Sequence, residues 1–477
     1  MTEVRKYAIE HPDMYFHANR FDIIIKVVYM YFHVVLKHVP KCILLAYTEH
    51  LRILNGSKEH CFDQDDRKNG YSKLCPPKIA NEDYVTSYQN FIRNVANVGI
   101  NPSQYSISVD KNGFLVNGAH TLSSSIVLSQ PVYVQHLSYK SIFAYDYMFF
   151  QTRGLQTTIS DMVLLEFMKI QLKLNLTSQI SILALFSHNE ENNKIMCSIL
   201  RSKCSKDGFI IYEKEIDITK RGIPELVIHM YGLQSWILAK IRHINERISK
   251  SGLARVRFFF FSGRSNTELT SCKSEIRTLY GEGKSSVHIP DTPQEAVTLA
   301  KMILNSNSLH LINNGKETNK CRHISSEISK RSLLSEISTL PGLYEPREDI
   351  MLDSGQVLDF YGIRKGTDVD VLFLYDIDHT IIGHFNGRFY HAHGFAADAT
   401  GNTRPWGEDH LSKNVTRWDL FYDPMNYGYC YGIKFASLKE VIRYKSKRNE
   451  PNKDFIDIKL IQSFYKNVSG KGYKGHV

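Results

Sequence analysis

The sequence predicts an α/β protein of mixed α+β type with several domains, and three observations lead to this prediction. At 477 residues, the chain is longer than a single hydrophobic core usually supports. Hydrophobic residues make up 43% of it and charged residues 23%, proportions that are ordinary for a globular protein and argue against long disorder. Short β-rich runs alternate with helical segments, which is typical of α/β architecture.

The first predicted domain spans residues 1–150 and begins with a polar segment, so no secretory signal is expected. Its most apolar stretch, Phe21 to Tyr47, predicts an amphipathic helix whose longest apolar run is too short to cross a bilayer. Four polar residues fall on one helical face and predict a solvated stripe, namely Asp22, Lys26, His33 and Lys37. Peripheral membrane contact through the apolar face is the alternative.

The rest of this domain is predicted as a loop, a helix and a hairpin. Gly56 to Pro77 is polar and turn-rich, and Glu82 to Val98 is helical in pattern. Tyr105 to Val109 and Phe114 to Val116 are expected to pair across a turn that ends at Gly113.

The second predicted domain, residues 151–320, alternates strands and helices. The expected elements are strands at Arg255–Phe261, Ser286–Ile289 and Ser308–Ile312, and helices at Ser274–Tyr280 and Pro293–Leu304. Thr292 before Pro293 is a good helix N-cap. This spacing predicts parallel strand pairing, and the segment from His288 to Thr292 is either a pocket or a structural cap.

The polar segment Asn313 to Ser326 is predicted to be a linker, and the third domain spans residues 329–477 with a loose tail after Ser469. Within it, alternation along a strand places Asp368 and Asp370 on one face and the neighbouring valines on the other. Two carboxylates placed in this way can share a divalent metal that bridges nucleotide phosphates. Taken alone, Asp-x-Asp is also the sequence of an ordinary solvated strand end.

The order of residues around this tripeptide is more specific. Ser354-Gly355 precedes an apolar helix at Gln356–Tyr361, and Arg364 and Thr367 then lead into Asp368-Val369-Asp370. This order resembles the nucleotidyltransferase fold, in the minimal form of abortive-infection toxins, where Gly-Gly precedes the helix and Ser354 here replaces the first Gly. The resemblance implies phosphate binding at the helix start, where backbone N–H groups are accessible.

A basic segment further along extends the resemblance. An apolar strand at Gly432–Leu438 is followed by a helix at Lys439–Arg448 and then by Lys453-Asp454-Phe455-Ile456-Asp457. The same family has a strand, a helix with Lys and a Lys/Arg-Asp-x-x-Asp element in this order. Lys445, Lys447, Arg448 and Lys453 therefore become candidate phosphate contacts.

A third acidic ligand is usual in this fold. Asp419 lies in an aromatic segment, Arg417–Tyr422, that predicts a strand, where a carboxylate needs a reason to be present. We expect it to be a ligand or base, and Asp423 to be structural. Four histidines are weaker metal candidates, namely His379, His384, His391 and His393.

The first domain contains a second resemblance. A strand–turn–strand ends in Asn117-Gly118-Ala119-His120-Thr121 at a helix start, which resembles the ParB/sulfiredoxin superfamily and its Asp/Asn-Gly-x-His-Arg sequence. The resemblance implies that this turn holds nucleotide phosphates. Thr121 replaces the superfamily's Arg, and a hydroxyl cannot replace a bidentate cation. A plain hairpin entering a helix is the alternative.

Together these features predict a cytoplasmic transferase that uses an NTP and Mg²⁺ or Mn²⁺ for nucleotidyl or phosphoryl transfer to a small-molecule or phosphosugar acceptor. Analogy suggests surface polysaccharide assembly as the setting. The first alternative is a metal-dependent glycosyltransferase, which predicts a larger parallel sheet around Asp368-Val369-Asp370. The second is a protein that binds nucleic acid or another partner without catalysis, because the formal charge is +10 and the pI is near 9.0. Solubilising charge spread over the surface accounts for the same values.

The eight cysteines include no CxxC pair, so zinc-ligand spacing is absent. A disulfide scaffold is not expected at this length, and reduced thiols are predicted.

Overall fold

A computed structural model describes most of the chain. The described residues are 6–9, 11–17, 19–56, 82–101, 105–138, 145–186, 189–232, 234–246, 253–281, 285–330, 348–367, 369–375, 383–385, 388–393 and 406–469. They combine helices with three small sheets, so the predicted mixed α/β class is confirmed. The chain divides into two compact units: unit 1 is residues 1–215 with 256–297, and unit 2 is residues 216–255 with 298–477.

The strands are β1 (Lys6–Ile9), β2 (Ile107–Val109), β3 (Leu115–Asn117), β4 (Val132–His136), β5 (Ile180–Leu185), β6 (Ser205–Thr219), β7 (Leu253–Gly263), β8 (Val287–His288), β9 (Ile350–Leu352), β10 (Val369–Phe373), β11 (Gly383–Phe385), β12 (Arg388–His393), β13 (Tyr427–Cys430) and β14 (Ile433–Ala436).

The α-helices are α1 (Phe21–Val34), α2 (Lys41–Gly56), α3 (Glu82–Val98), α4 (Ala119–Leu128), α5 (Tyr147–Thr152), α6 (Thr157–Lys173), α7 (Glu190–Ile199), α8 (Gly222–Tyr231), α9 (Ile237–Glu246), α10 (Asn266–Tyr280), α11 (Pro293–Ile303), α12 (Ser306–Asn314), α13 (Thr318–Lys330), α14 (Ser354–Phe360), α15 (Arg417–Tyr422), α16 (Leu438–Arg448) and α17 (Lys453–Ser469).

The first sheet of unit 1 has the strand order β1-β4-β2-β3. The predicted hairpin is confirmed, because β2 and β3 pair antiparallel across the expected turn. The predicted helix from Glu82 to Val98 is α3, with the same bounds. The loop predicted at Gly56 to Pro77 lies outside the described residues apart from its first residue.

Helix α1 contradicts the predicted solvated stripe at two of its four residues, whereas His33 is half-buried and Lys37, after the helix, is exposed. Asp22 and Lys26 are buried, and Lys26 Nζ lies 2.6 Å from Asp22 Oδ2. Arg20 Nε donates to the same carboxylate at 2.8 Å, so the charges are paired inside the core rather than hydrated. All residues from Phe21 to Phe32 are buried, which leaves this part of the helix no apolar face for a membrane surface.

The second sheet has the order β6-β7-β5-β8. The predicted parallel pairing is wrong, since β5 pairs antiparallel with both β7 and β8. Every residue of β5 is buried, and this strand lies between β7 and β8, which therefore run in the same direction without pairing. The predicted helix start at Thr292 is confirmed by its Oγ1, which accepts from the Glu295 N–H at 3.2 Å.

Two predictions at the start of the larger segment of unit 2 are wrong. Ser308–Ile312, expected as a strand, lies in α12, because the side chain of Asn305 caps this helix by accepting from the Ser308 N–H at 3.0 Å. Asn313–Ser326, expected as a linker, includes the start of α13, whose Cys321 and Ile324 are three residues apart and buried.

The sheet of unit 2 is mixed, with the order β11-β12-β10-β9-β14-β13. β10 pairs parallel with β12 and antiparallel with β9, and β9 pairs parallel with β14. The predicted strand at Gly432–Leu438 and helix at Lys439–Arg448 are confirmed as β14 and α16. The tail after Ser469 lies outside the described residues.

Four of the cysteines lie in two close pairs. Cys204 lies against Cys272 and Cys321 against Cys430, with Cα–Cα distances of 5.9 and 6.3 Å that suit disulfides. Cys42 is buried and Cys197 is half-buried. Within the described ranges, no helix is long and apolar enough to cross a membrane.

Candidate functional site

The two parts of the Ser354-Gly355 and Asp370 motif meet at the end of strand β9. β9 pairs with β10 through Leu352 and Val371, and one step further the Asp353 N–H donates to the Asp370 carbonyl at 3.0 Å. Val369 and Val371 are buried while Asp370 is half-buried, as the predicted alternation requires. Asp368 itself lies outside the described residues, so its place on the same face stays a prediction.

The turn from Asp353 to Gly355 has an unusual backbone. Ser354 has φ of +44°, in the left-handed region that favours glycine. In the family that the sequence resembles, a Gly stands at this position. The Asp353 side chain caps the turn, since its Oδ1 accepts from the Ser354 N–H at 2.6 Å.

Arg364 connects this turn to a segment 93 residues later in the chain. Its Nε lies 2.5 Å from Asp457 Oδ1 and its Nη2 lies 2.8 Å from Asp457 Oδ2, which is a bidentate ion pair. A Cβ added to Gly355 would lie 3.6 Å from Arg364 Nη2, so the guanidinium also lines the turn. The Arg364 side chain is 28% exposed and can therefore be reached by a solute.

Lys445 and Arg448, both predicted phosphate contacts, are held by carboxylates of the protein. Lys445 is 1% exposed, and its Nζ lies 3.1 Å from Asp454 Oδ1 and 2.8 Å from Asp457 Oδ2. Arg448 Nε donates to Asp454 Oδ2 at 2.9 Å. Burial alone would raise the pKa of Asp454. The Arg448 and Lys445 cations and the Glu450 N–H outweigh this effect and lower the pKa to about 2. These ion pairs, in which cations and carboxylates alternate, join α16 to the start of α17. Lys453 is exposed.

His410, which the sequence analysis did not single out, lies between two carboxylates. Its Nε2 is 2.9 Å from Asp353 Oδ2 and its Nδ1 is 2.8 Å from Glu440 Oε1. Because ionised carboxylates only accept, both ring nitrogens carry hydrogen when Asp353 and Glu440 are ionised, which makes the ring an imidazolium. Burial alone would lower the pKa of His410, but Asp353 and Glu440 raise it to about 9. No spacing pattern links these three residues, so no sequence signal could have identified the cluster.

The structure gives Asp419 a different explanation from the predicted one. Arg417–Tyr422 is a helix rather than a strand, and Asp419 is at its third position. Its Oδ2 accepts from the Thr416 N–H at 3.0 Å and from Thr416 Oγ1 at 2.9 Å, in a capping box. The capping box thus explains why the Asp419 carboxylate is buried. His379 and the side chains of His384, His391 and His393 lie outside the described part of the chain.

The second predicted phosphate site, in unit 1, is a tight turn. Gly118 has φ of +89°, and a Cβ there would lie 2.9 Å from the Ile107 Cα and the Ser106 carbonyl oxygen. His120 Nε2 lies 3.2 Å from the Tyr47 hydroxyl, and its ring packs on Tyr88 at 4.2 Å between centroids. Thr121 is buried and Asn117 is exposed.

Unit 1 also contains a cavity of about 570 Å³ beside the predicted pocket segment. It lies at the carboxyl ends of β7 and β8, where Arg264, Ser265, Asp291 and Thr292 contribute to its lining. Lys273 pairs with Asp291 at 2.7 Å, and Arg264 pairs with Glu268 at 3.3 Å. The lining therefore combines both signs of charge, and it favours no single class of ligand.

Among the described residues, no group of three or more His, Cys, Asp or Glu side chains is arranged to hold a metal ion. No protein-family model, curated protein or solved structure matches the chain.

Proposed function

We propose that unit 2 transfers a nucleotidyl or phosphoryl group from an NTP with the help of Mg²⁺ or Mn²⁺. The observation that carries the proposal is the bidentate contact of Arg364 with Asp457 beside Gly355. It brings together two segments, 354–370 and 453–457, that were singled out separately in the sequence.

The residues present suit a metal-bound nucleotide. Asp368 and Asp370 would hold the metal, since carboxylate oxygens are the ligands that Mg²⁺ prefers, and the metal would offset charge on the phosphates. Asp370 is half-buried in β10, beside β9. It is close enough to the Ser354 turn for the Asp353 N–H to donate a hydrogen bond to its carbonyl. A Cβ added at Gly355 would meet the Arg364 guanidinium at 3.6 Å, so the backbone there lies next to this cation.

The cations of the site have different roles in this proposal. Arg364 is partly exposed and oriented by Asp457, so it would meet the phosphates with its guanidinium already in place. Exposed Lys453 would add charge at the rim. Lys445 is enclosed by Asp454 and Asp457, and we assign it the role of fixing Asp457, which in turn orients Arg364.

The sheet topology bears on the glycosyltransferase alternative. That alternative predicts a larger parallel sheet, whereas β10 has one parallel and one antiparallel neighbour in a six-stranded mixed sheet. The topology thus gives it no support, and nucleotidyl or phosphoryl transfer remains the proposal that the arrangement supports best.

A screen of the full-length protein with α- and γ-labelled NTPs, in Mg²⁺ or Mn²⁺, tests the proposal. Label retained on an acceptor or on the protein from the α position indicates nucleotidyl transfer, and label from the γ position indicates kinase chemistry. We expect transfer from at least one NTP, and a loss of 100-fold or more in Asp370→Asn, on the order seen when a metal or transition-state contact is removed.

Asp423→Asn is the matched control, because Asp423 lies in a separate turn where its Oδ1 accepts from the Met425 N–H at 3.0 Å. It should retain transfer. Transfer that persists in the double variant Asp368→Ala/Asp370→Ala would rule the proposal out. Binding of nucleic acid without any transfer, with steep salt dependence, would instead support the non-catalytic alternative.

A further inference from the structure

The environment of His410 goes beyond what a structural histidine needs. The ring is 1% exposed and joins Asp353, at the start of the site turn, to Glu440 in α16. A neutral histidine could donate to only one of the two carboxylates and would turn a lone pair toward the other. The arrangement is satisfied only when the ring is charged.

Asp353 links this imidazolium to the proposed nucleotide site. One carboxylate oxygen, Oδ2, receives His410 at 2.9 Å, and the other, Oδ1, receives the Ser354 N–H at 2.6 Å. The backbone N–H of Asp353 bonds to the Asp370 carbonyl at 3.0 Å. If this carboxylate moves, it therefore displaces Ser354, which has a strained φ of +44°, and also the strand that contains Asp370.

The groups that face His410 from the other side hold it in place. Tyr444 stacks on the ring with 4.1 Å between centroids and an angle of 2° between the planes. Arg443 Nη2 donates to the His410 carbonyl at 2.7 Å and to Glu440 Oε1 at 2.8 Å. Arg443 thus pairs with Glu440 while the imidazolium pairs with Asp353, which balances both carboxylates.

We propose that His410, as an imidazolium bonded to Asp353 and Glu440, is a positioning residue that holds the Asp353–Gly355 turn against Asp370. The proposal rests on the proposed function in one respect, since it is there that this turn contributes to a nucleotide site. Loss of the His410 proton removes the positive charge that this ring presents to Asp353, frees the turn to relax toward a less strained backbone, and weakens metal–nucleotide binding.

Two readouts on the full-length protein test this role between pH 6.5 and 10. The first is the hydrogen-exchange protection factor of the Ser354, Gly355 and Gln356 amides, together with the NMR titration of His410. The second is the Kd of Mn²⁺ with a non-hydrolysable ATP analogue. Wild type, His410→Gln, Glu440→Gln and the control His229→Gln are compared, where His229 is a half-buried histidine that stacks on Tyr431 at 3.8 Å between centroids.

We expect the protection factors in wild type to fall at least tenfold as pH rises, with the same midpoint as the His410 titration. Glu440→Gln should move both midpoints to lower pH together, because it removes one of the two negative charges that stabilise the imidazolium. His410→Gln should lose the protection at all pH values, and His229→Gln should match wild type. If His410→Gln does not fold, the joint shift in Glu440→Gln still decides the question.

The two proposals fail separately. In one result, protection of the turn amides follows the titration of His410, but Mn²⁺ and the analogue do not bind. That result supports the positioning role and contradicts the proposed function. The opposite result is that Mn²⁺ and the analogue bind, while protection of the turn amides changes neither in His410→Gln nor with the titration of His410. That result overturns the positioning role and leaves the proposed function intact.

Discussion

The two regions that resemble phosphate-handling families are held in place by different forces. In unit 2, the site depends on charged side chains that come from four separate segments, with Arg364, Lys445 and His410 each bound to buried carboxylates. In unit 1, the Gly118 turn depends on backbone approach and aromatic packing, and His120 bonds to the neutral Tyr47 hydroxyl.

The difference indicates what each region is built to do. Paired ions at the edge of a binding site orient groups that can then meet phosphate, at the cost of removing several charges from water. The Gly118 turn has no cation at position 121, where Thr121 is buried. We therefore place the proposed chemistry in unit 2 and regard the unit 1 turn as a folding element.

The largest expected effect is on the ion network of unit 2. Asp454→Ala leaves buried Lys445 and Arg448 with fewer carboxylates, which should lower the free energy of unfolding of unit 2 by about 3–5 kcal/mol. Glu450→Ala is the control, because Glu450 pairs with the same Arg448 at 3.1 Å but is 43% exposed and should cost less than about 1 kcal/mol.

Urea unfolding followed by tryptophan fluorescence measures this effect in unit 2 alone. All three tryptophans, Trp236, Trp406 and Trp418, belong to that unit. Equal midpoints for the two variants would mean that the network contributes no more than a surface ion pair.

The next effect is a pH dependence confined to unit 2. His410 has a pKa of about 9 in the folded protein against an ordinary value of 6.5, so its contribution is complete below pH 6.5 and is lost as pH rises through 9. The size of this contribution is roughly 3 kcal/mol.

Urea midpoints at pH 6.5, 8 and 10 test this dependence, with His410→Gln as the reference for all other groups that titrate at high pH. We expect the difference between wild type and variant to shrink with rising pH. A difference that is the same at all three pH values would show that His410 is not charged in the folded protein.

Alanine substitutions at two glycines compare the turn of unit 1, which is limited by backbone contacts, with the turn of unit 2, which is held by charged side chains. Gly118→Ala places a Cβ at 2.9 Å from two backbone atoms at a φ of +89°, and we expect a loss of about 2 kcal/mol or more in unit 1. Gly355→Ala meets only the Arg364 guanidinium, at 3.6 Å, and should change the stability of unit 2 by less than about 1 kcal/mol.

Hydrogen exchange of β2 and β3 reports on the first variant, because unit 1 has no tryptophan. Fluorescence reports on the second. If Gly355→Ala proves the more damaging of the two, the unit 2 turn is as tightly constrained by its backbone as the Gly118 turn.

The smallest effect concerns Ser354. Glycine adopts its φ of +44° without strain, whereas alanine keeps the strain, so Ser354→Gly should be more stable than Ser354→Ala by about 1 kcal/mol. Urea midpoints of the two variants measure the difference. Alanine equal to or better than glycine would indicate that the turn is not strained.

Local patterns predicted those elements whose determinants are close in sequence. The helix from Glu82 to Val98, the hairpin that ends at Asn117 and the Thr292 N-cap all depend on residues a few positions apart, and all were predicted correctly. The strand predicted at Ser308–Ile312 failed because the Asn305 cap outweighed a short apolar run. The predicted parallel pairing failed because β5, which is distant in sequence from β7 and β8, lies between them in the sheet.

The candidate site shows the same limit. The motif segments around Asp370 and Lys453 were predicted, since each is a short run with its own chemistry. The Arg364–Asp457 pair and the His410 cluster join residues that are 93 and 57 positions apart, and nothing local to either residue specifies its partner. Asp419 was assigned to the site because its segment was taken as a strand, and only the helix cap explains its burial.

The most direct test of the proposed function is to locate bound Mn²⁺ in crystals of the full-length protein grown with Mn²⁺ and a non-hydrolysable ATP analogue. We expect an anomalous-scattering peak at coordination distance from the Asp370 carboxylate, with the analogue's phosphates within hydrogen-bond distance of Arg364. Density for Mn²⁺ and the analogue elsewhere in the molecule, with none at Asp370, would contradict the assignment of this site.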